Sequence, residues 1–414
     1  MDKPITNLKE NTFENTPIAD LDPSDEDIFF KNQHYYYFER IRKEDPIHYC
    51  RQSAHGPYWS ITKYSDIIEI ENNPELFSAR GGFTIVDIPR DTRYRSFLTM
   101  DPPEHTYKRK TIAPIVSLSN LSRIEDYIFD LVNETLDDLP VGEPFDWVEK
   151  VSIQISIKTL ALMMGVPVED SPMLVRWSNI ASTVPKLGSN IETLDQQYYN
   201  LQDCYSYFNN LLNTHSSSRV ENTFVSILAH HAKREEMHPE ELFLTILALI
   251  LAGNDTTRHS IAASCLLLHQ FPEQKKLLYS DPSLLRSAAL EIIRFQTPVA
   301  HFRRTATKDV KFKGKEIKKN DKLLLWFISA NRDEDAIEFP NDFIINRKKP
   351  DHHLSFGSGI HKCIGRNISI MELKVLWSEI IRRNWHIEPV SEPIRTKSNI
   401  SHGYTSLNVK IRNS

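Results

Sequence analysis

One stretch of the sequence decides the fold, and it runs His353-Leu354-Ser355-Phe356-Gly357-Ser358-Gly359-Ile360-His361-Lys362-Cys363-Ile364-Gly365. Its first two glycines permit backbone conformations that other residues resist. Helical periodicity follows from 364 to 382, so the Cys363 thiol precedes a helix N-terminus, where unpaired N–H groups favour a thiolate. Phe356 can shield the sulfur from water, and Gly365 leaves room for a flat cofactor. The stretch therefore predicts a cradle for one iron-bound thiolate.

The spacing of this stretch, F-G-x-G-x-H-x-C-x-G, resembles the haem-binding loop of the cytochrome P450 family. An isolated cysteine is usually a small buried hydrophobe, but a pattern of this length and order rarely matches by chance. The resemblance implies haem b (iron protoporphyrin IX) as the cofactor and Cys363 as the axial ligand of its iron. It also implies that Phe356 and Gly365 contact the haem.

A long apolar helix is predicted upstream, from Pro239 to about Phe271. A proline followed by two glutamates is typical of a helix start, and about 30 residues suffice to cross a protein core. Ala248, Ala252 and Thr256 are spaced i, i+4 and i+8, which gives one face lined by small groups with room above a haem. Gly253 is predicted to weaken the helical hydrogen bonds and to admit water. A plain core helix with an internal glycine is the alternative.

The middle of this helix, Ala252-Gly253-Asn254-Asp255-Thr256-Thr257, resembles the oxygen-activating motif of the same family. The resemblance implies that Asp255 relays protons from solvent and that Thr256 hydrogen-bonds dioxygen or an ordered water. It places Ala252 against the haem, which would lie between this helix and the helix after the cysteine. Oxygen activation needs protons on this side while a thiolate supplies electron density from the other.

Haem carries two propionate carboxylates, which need cationic or hydrogen-bonding partners. The resemblance implies four such partners: His105, Arg109, Arg304 and His361. Arg303 competes with Arg304 for this role, and the Arg-Thr-Ala spacing favours Arg304. Without the resemblance, each of the four could equally be an ordinary exposed or capping residue.

A further pair, Glu291 and Arg294, has the i,i+3 spacing of a common surface ion pair. Its place between the long helix and the cysteine loop resembles the structural Glu–Arg pair of the family. The resemblance implies that Arg347 joins the pair and that the group braces the protein behind the cysteine. We assign it an architectural and not a catalytic role.

The periodicity predicts a mainly helical α+β protein, which we expect to form one domain over residues 1–414. The resemblance implies that this domain has the cytochrome P450 fold. An irregular stretch from 79 to 99 is predicted to be either a functional loop or a disordered one. A turn at Lys313-Gly314 is predicted to join two strands, and residues 401–411 a terminal hairpin. Helices are predicted near 121–139, 151–164 and 194–214, and strands near 55–90, 300–330 and 385–412.

Composition limits the classes of function and location. A net charge of −5 argues against a nucleic-acid binder built on a basic face. Four scattered cysteines indicate a reducing compartment. The polar N-terminus has no signal peptide or membrane anchor, and the longest apolar run, 242–252, is too short to span a bilayer. We expect a soluble, cytoplasmic protein.

Several segments resemble the bacterial P450 branch that hydroxylates the terminal carbons of alkanes and fatty acids. They are 38–46, 253–258, 297–304 and 403–405. This resemblance implies a small apolar substrate: a linear alkane, a fatty acid or a terpenoid. The residues expected to line the pocket, about half of which could equally be plain core, are Phe83, Ile85, Ala248, Val299, Ala300, Tyr404 and Leu407.

The chain contains no glycine-rich dinucleotide fingerprint, so we expect electrons from an external ferredoxin and ferredoxin reductase that draw on NAD(P)H. Lys108, Lys110, Lys362 and Arg366 are predicted to form a basic patch for an acidic ferredoxin, although they could be an ordinary solvated surface. Two other classes stay open. One is a haem-thiolate peroxygenase or other non-monooxygenase P450, and the second is a non-catalytic haem or gas sensor.

Overall fold

The computed structural model describes residues 15–87, 95–183, 190–215, 222–230 and 238–413. Two predictions fall partly outside these ranges. The polar N-terminal segment includes 1–14, and the irregular stretch includes 88–94; both sets lie outside the described residues.

Helices form most of the ordered framework, as the periodicity predicted. They are α1 (Glu26–Phe30), α2 (His34–Glu44), α3 (Tyr64–Glu71), α4 (Glu104–Ile112), α5 (Leu118–Asp137), α6 (Ile153–Met164), α7 (Ser171–Ser182), α8 (Leu194–Asn200), α9 (Gln202–His215), α10 (Phe224–Ala229), α11 (Pro239–Gln270), α12 (Pro272–Ser280), α13 (Leu285–Gln296), α14 (Phe327–Ala330) and α15 (Arg366–Arg382).

The strands are short and form small sheets. They are β1 (Ile47–Cys50), β2 (Tyr58–Ile61), β3 (Phe77–Ser78), β4 (Pro144–Asp146), β5 (His301–Ala306), β6 (Val310–Phe312), β7 (Lys315–Ile317), β8 (Lys322–Trp326), β9 (Trp385–Pro389), β10 (Ile394–Arg395), β11 (Tyr404–Ser406) and β12 (Asn408–Asn413). The largest sheet has the order β1-β2-β8-β5-β3, and smaller sheets pair β4-β12-β9, β10-β11 and β6-β7.

The predicted hairpin turn at Lys313-Gly314 is confirmed, because β6 and β7 pair antiparallel across it and both turn residues have positive φ. The helix predicted over 194–214 is interrupted at Leu201, which separates α8 from α9. The start of the helix predicted at 151 is a π-helical turn, Val148–Ser152, before α6 begins.

The predicted terminal hairpin is wrong. The strands at its two ends belong to different sheets: β11 pairs with β10, whereas β12 lies between β4 and β9. Leu407, which separates them, has its backbone N–H and C=O bonded to Asp146 and Trp147. The alternating pattern correctly predicted strands here, but the partners are distant in sequence.

Helix α11 crosses the protein core and packs against α6, α7, α13 and α15. It is continuous across Gly253, so the glycine does not break the helix, and the predicted admission of water stays a prediction. A Cβ at this glycine would lie 2.6 Å from Leu160 Cδ1 of α6. The glycine therefore allows close helix packing. Within the described ranges, the helices include none long and apolar enough to cross a lipid bilayer.

Candidate active site

The cysteine loop folds tightly onto itself just before α15. The Cys363 N–H donates to the Phe356 carbonyl at 2.8 Å, which closes the loop. Gly357 and Gly359 have φ of 65° and 58°, so both use the left-handed conformation that the sequence predicted for them. The Arg366 guanidinium lies 5.5 Å from the Phe356 ring centre.

Asn331 fastens this loop to the rest of the protein. Its Nδ2 donates to Thr297 Oγ1 and to Ser355 Oγ, each at 2.8 Å, and its Oδ1 accepts from the Leu354 N–H at 2.7 Å. Ser355 Oγ in turn donates to the Ile293 carbonyl of α13. The loop is thus held by buried hydrogen bonds at its N-terminal side, which fixes where Cys363 lies.

The Cys363 side chain differs from those of the other cysteines. Cys50, Cys204 and Cys265 are buried, whereas Cys363 is exposed in front of α15. Desolvation by the surrounding protein raises the pKa of the Cys363 thiol, while the backbone N–H groups of Gly365 and Arg366 and the charge of Arg109 lower it. A metal ion binds the thiolate form. The N–H groups act in the direction that the helix position predicted, but burial outweighs them, so the net pKa of the thiol is raised.

Behind the loop, Glu291 and Arg294 form a buried bidentate ion pair, with both nitrogen–oxygen distances 2.8 Å. Arg347 Nε donates to the same carboxylate at 2.9 Å. Arg294 also donates to the carbonyls of Asn331 and Pro340. The predicted group of three is confirmed. The Glu291 carboxylate and the Arg294 guanidinium each have several partners, which fits an architectural role.

Facing the loop, α11 carries the predicted small-residue face. Ala252 is exposed although it lies midway along a core helix, and Thr256 Oγ1 donates to its carbonyl at 3.0 Å. One residue further, Thr257 Oγ1 lies 3.1 Å from Ser369 Oγ of α15. This contact joins the helix of the oxygen motif to the helix that follows Cys363, so both motifs border the same region.

The Asp255 carboxylate is held beside this face. Arg258 Nη2 lies 3.0 Å from its Oδ1, and Asn254 Nδ2 donates to the same oxygen at 3.1 Å. Burial raises the pKa of Asp255, and the Arg258 charge acts in the opposite direction. A carboxyl group with a raised pKa next to a hydroxyl is suited to accept and release protons.

Two of the predicted propionate partners lie side by side. The rings of His105 on α4 and His361 in the cysteine loop have centres 4.2 Å apart. Burial lowers the pKa of His105 to about 4 and of His361 to about 2, and the nearby Arg304 and Arg109 contribute. Both nitrogens of His105 and Nε2 of His361 are buried without a hydrogen-bond partner in the described part of the chain. These nitrogens lie beside Arg109 and Arg304, so they are available to an anionic ligand at this place.

The two predicted arginine partners reach the same region. Arg109 Nη2 donates to the Lys362 carbonyl, next to Cys363. Arg304 is buried, and its Nη2 lies 3.2 Å from Oε1 of Glu71, an acid that the sequence interpretation missed. A signal for Glu71 was present, because it shares the apolar face of α3 with Ile67 and Ile70 at i, i+3 and i+4.

The expected substrate-lining residues are distributed over several packing clusters. Phe83 packs edge-on to Phe302, and Ala248 lies in the cluster between α6, α9 and α11. Val299 is half-buried beside the largest sheet. Ile85 and Ala300 share a buried cluster with Trp326, and Tyr404 and Leu407 belong to the main core. The structure therefore favours the core role, which the sequence left open, for four residues: Ile85, Ala300, Tyr404 and Leu407.

The predicted basic patch needs correction. Lys108 is largely buried in an ion pair with Glu241 at the start of α11, 2.5 Å apart, and Arg366 pairs with Asp351. Lys110 and Lys362 are exposed. Acidic partners neutralise Lys108 and Arg366, so a basic patch at this face rests on Lys110 and Lys362.

The residues present fit a haem. The orphaned nitrogens of His105 and His361, together with Arg109 and Arg304, would hold its propionates, and Cys363 would bind its iron. A Cβ at Gly365 would meet no protein atom within 4 Å, which leaves a flat approach beside the sulfur. Ala252 on α11 would contact the opposite face.

Comparison with known proteins shows the family of the chain. The cytochrome P450 family model matches residues 29–410. Linalool 8-monooxygenase from Pseudomonas putida is 28% identical, over 92% of this chain and 97% of its own length. Methyl-branched lipid omega-hydroxylase from Mycobacterium tuberculosis is 28% identical over 95% of each chain. The structure of CYP153D17 from Sphingomonas sp. PAMC 26605 superposes with a TM-score of 0.90 at 37% identity, covering 95% of this chain and 99% of that one. The chain therefore belongs to the cytochrome P450 family of haem-thiolate monooxygenases.

Proposed function

We propose that this enzyme hydroxylates a terminal carbon of a linear or terpenoid apolar substrate, with electrons from an external ferredoxin. The observation that carries the proposal is the pairing of an exposed Cys363 with the small-residue face of α11, where Ala252 is exposed beside Thr256. Such a face leaves space for an aliphatic chain end.

Bound haem supplies the oxygen-activating and redox chemistry. The chain's own residues orient it and deliver protons. His105, Arg109, Arg304 and His361 would hold the propionates, and the N–H groups of Gly365 and Arg366 would stabilise the thiolate of Cys363.

We assign proton delivery to Asp255 and Thr256. Asp255 would take a proton from the solvent side, because its side chain keeps 14% of its surface exposed and burial raises its pKa. Thr256 Oγ1 donates to the Ala252 carbonyl at 3.0 Å, so its lone pairs are free to hold an ordered water. We expect Asp255→Asn to lower turnover by about a hundredfold, measured as product per minute. Ser260→Ala on the same helix is the control, and a similar loss there would contradict this assignment.

The names of the relatives support the class of substrate. Linalool 8-monooxygenase acts on a terpenoid, and methyl-branched lipid omega-hydroxylase acts on the terminal position of a lipid. The resemblance to the terminal alkane and fatty-acid hydroxylase branch points the same way. Phe83 and Val299 are the expected wall residues that are half-buried and not enclosed in a core cluster.

The test is a spectral binding screen with octane, dodecanoic acid and linalool, followed by identification of the products. We expect a substrate-induced spin-state change and a terminal alcohol from at least one of the three. Products hydroxylated only at internal carbons would contradict the proposal. Turnover with peroxide but none with ferredoxin and reductase would favour a peroxygenase.

We propose the electron donor from the positive charges exposed near Cys363. Lys110 is exposed on α4, and Lys362 is exposed next to the cysteine, so an acidic ferredoxin could dock close to the iron ligand. We expect Lys110→Glu to slow reduction by ferredoxin severalfold at low salt, with unchanged haem content. Lys319→Glu, an exposed lysine after β7, is the matched control. Equal reduction rates for the two variants would exclude docking at this face.

A further inference from the structure

Glu71 is a buried acid at the C-terminal end of α3, and 3% of its surface is exposed. None of the motifs of the family resemblance includes it. Burying a carboxylate is costly unless charged or hydrogen-bonding partners compensate it. Its partners therefore indicate what it does.

Both carboxylate oxygens of Glu71 face groups that border the haem site. Oε1 lies 3.2 Å from Nη2 of Arg304, the arginine assigned to the propionates. Oε2 accepts from the backbone N–H of Ser358 at 2.6 Å, inside the cysteine loop. A single side chain therefore connects a propionate partner to the loop that carries Cys363.

The backbone of α3 approaches the same loop closely. A Cβ at Gly359 would lie 2.6 Å from the Glu71 carbonyl oxygen, and Gly359 has φ of 58°. Only glycine allows this approach without displacement. The end of α3 and the cysteine loop thus pack backbone to backbone, and the Glu71 side chain lies between them.

Burial and the two partners of Glu71 act in opposite directions on its ionisation. Burial raises the pKa of Glu71 to about 7, and Arg304 and the Ser358 N–H act in the opposite direction. Arg304 has a second hydrogen bond, from Nη1 to the Arg303 carbonyl at 2.8 Å. The guanidinium is therefore oriented from two sides.

We propose that Glu71 is a positioning residue of the haem site, which fixes Arg304 and the cysteine loop as one unit and whose negative charge helps to set the iron potential. The inference rests on the proposed haem-thiolate function. Because reduction adds an electron to the site, a buried negative charge nearby opposes it. Removing the charge is then expected to make reduction easier.

Glu71→Gln tests the proposal with nearly unchanged shape. Both partners of Glu71 are donors, and an amide has only one acceptor oxygen, so one of the two bonds is lost. At pH 8.0 we expect a higher Fe(III)/Fe(II) potential than in the wild type and roughly tenfold faster haem transfer to apomyoglobin. The matched control is Glu69→Gln on the same helix, a half-exposed acid paired with Lys313 at 2.8 Å. It removes the same charge and should leave both quantities unchanged.

Glu71→Asp separates the effect of the negative charge from the effect of the side-chain length. It keeps the charge but is one methylene shorter, so we expect a near wild-type potential with haem loss faster than in the wild type. This variant also serves if the glutamine variant does not fold. Equal potentials in Glu71→Gln and Glu69→Gln, or a potential in Glu71→Asp that equals that of Glu71→Gln, would overturn the proposal. If the wild type lacked the thiolate-type spectrum with carbon monoxide, the proposed function itself would fail instead.

Discussion

Two buried polar clusters lie on either side of the cysteine loop, and they differ in how their polar atoms are satisfied. In the architectural cluster, Glu291 accepts from Arg294 and Arg347, and Arg294 also reaches backbone carbonyls. In the haem-facing cluster, His105 has two buried nitrogens without a partner in the described ranges, and His361 has one. The protein completes the first cluster by itself, whereas the second leaves three buried nitrogens available to a ligand. Both contain arginines, so charge alone does not distinguish architecture from a site.

The largest effect on stability is expected from a substitution in the architectural cluster. Glu291→Gln leaves Arg294 and Arg347 without their shared counter-ion, and Arg294 is 1% exposed. We expect a loss of about 3–5 kcal/mol in the free energy of unfolding, measured by urea denaturation, together with a low yield of holoprotein. Glu273→Gln, an exposed acid on α12, should change stability by less than about 0.5 kcal/mol. A similar small change in Glu291→Gln would show that the cluster does not stabilise the fold.

A substitution in the haem-facing cluster is expected to have a smaller effect, on haem retention and not on the stability of the apoprotein. His105→Phe keeps a ring against His361 but removes two buried nitrogens that lack partners, so the apoprotein should not lose stability. Haem transfer to apomyoglobin should become about tenfold faster, because a propionate partner is lost. His34→Phe is the matched control, since His34 is also buried but packs against Phe29 in another cluster. Faster haem loss in both variants would contradict the distinction between the clusters.

The pH dependence of the apoprotein gives the smallest effect. The pKa of His105 is lowered to about 4 by burial, with Arg109 and Arg304 contributing, so an unfolded chain with a histidine pKa near 6.5 binds the proton first. Stability is therefore full above about pH 6.5 and falls as the pH approaches 4. Between pH 7.5 and 5.5, the wild-type apoprotein should lose about 1 kcal/mol more than His105→Phe. Urea unfolding at the two pH values measures this, and equal losses would mean that His105 is not held neutral.

The sequence allowed the prediction of features that depend on residues close together in the chain. The cysteine loop, the limits of α11 at Pro239 and Gln270, and the group of Glu291, Arg294 and Arg347 all follow from fixed motifs and their order. The hairpin at Lys313 was predictable because its turn and both strands are contiguous.

What the sequence could not predict are pairings between distant segments. The partners of β12 lie about 20 and 260 residues upstream, so the pattern at 401–411 suggested a local hairpin instead. The Lys108–Glu241 ion pair and the Glu71–Arg304 contact are likewise long-range. Local periodicity could have placed Glu71 on a buried face, but only the fold shows which groups meet it there.

The thiolate of Cys363 would bind the haem iron, and the absorption spectrum of the reduced protein under carbon monoxide reports on this bond. We expect a Soret band strongly shifted to longer wavelength in the wild type, as thiolate ligation produces, and its loss in Cys363→Ala. Cys265→Ala, at a buried cysteine of α11, should keep the band. A wild-type spectrum without the shifted band, or its survival in Cys363→Ala, would contradict the account.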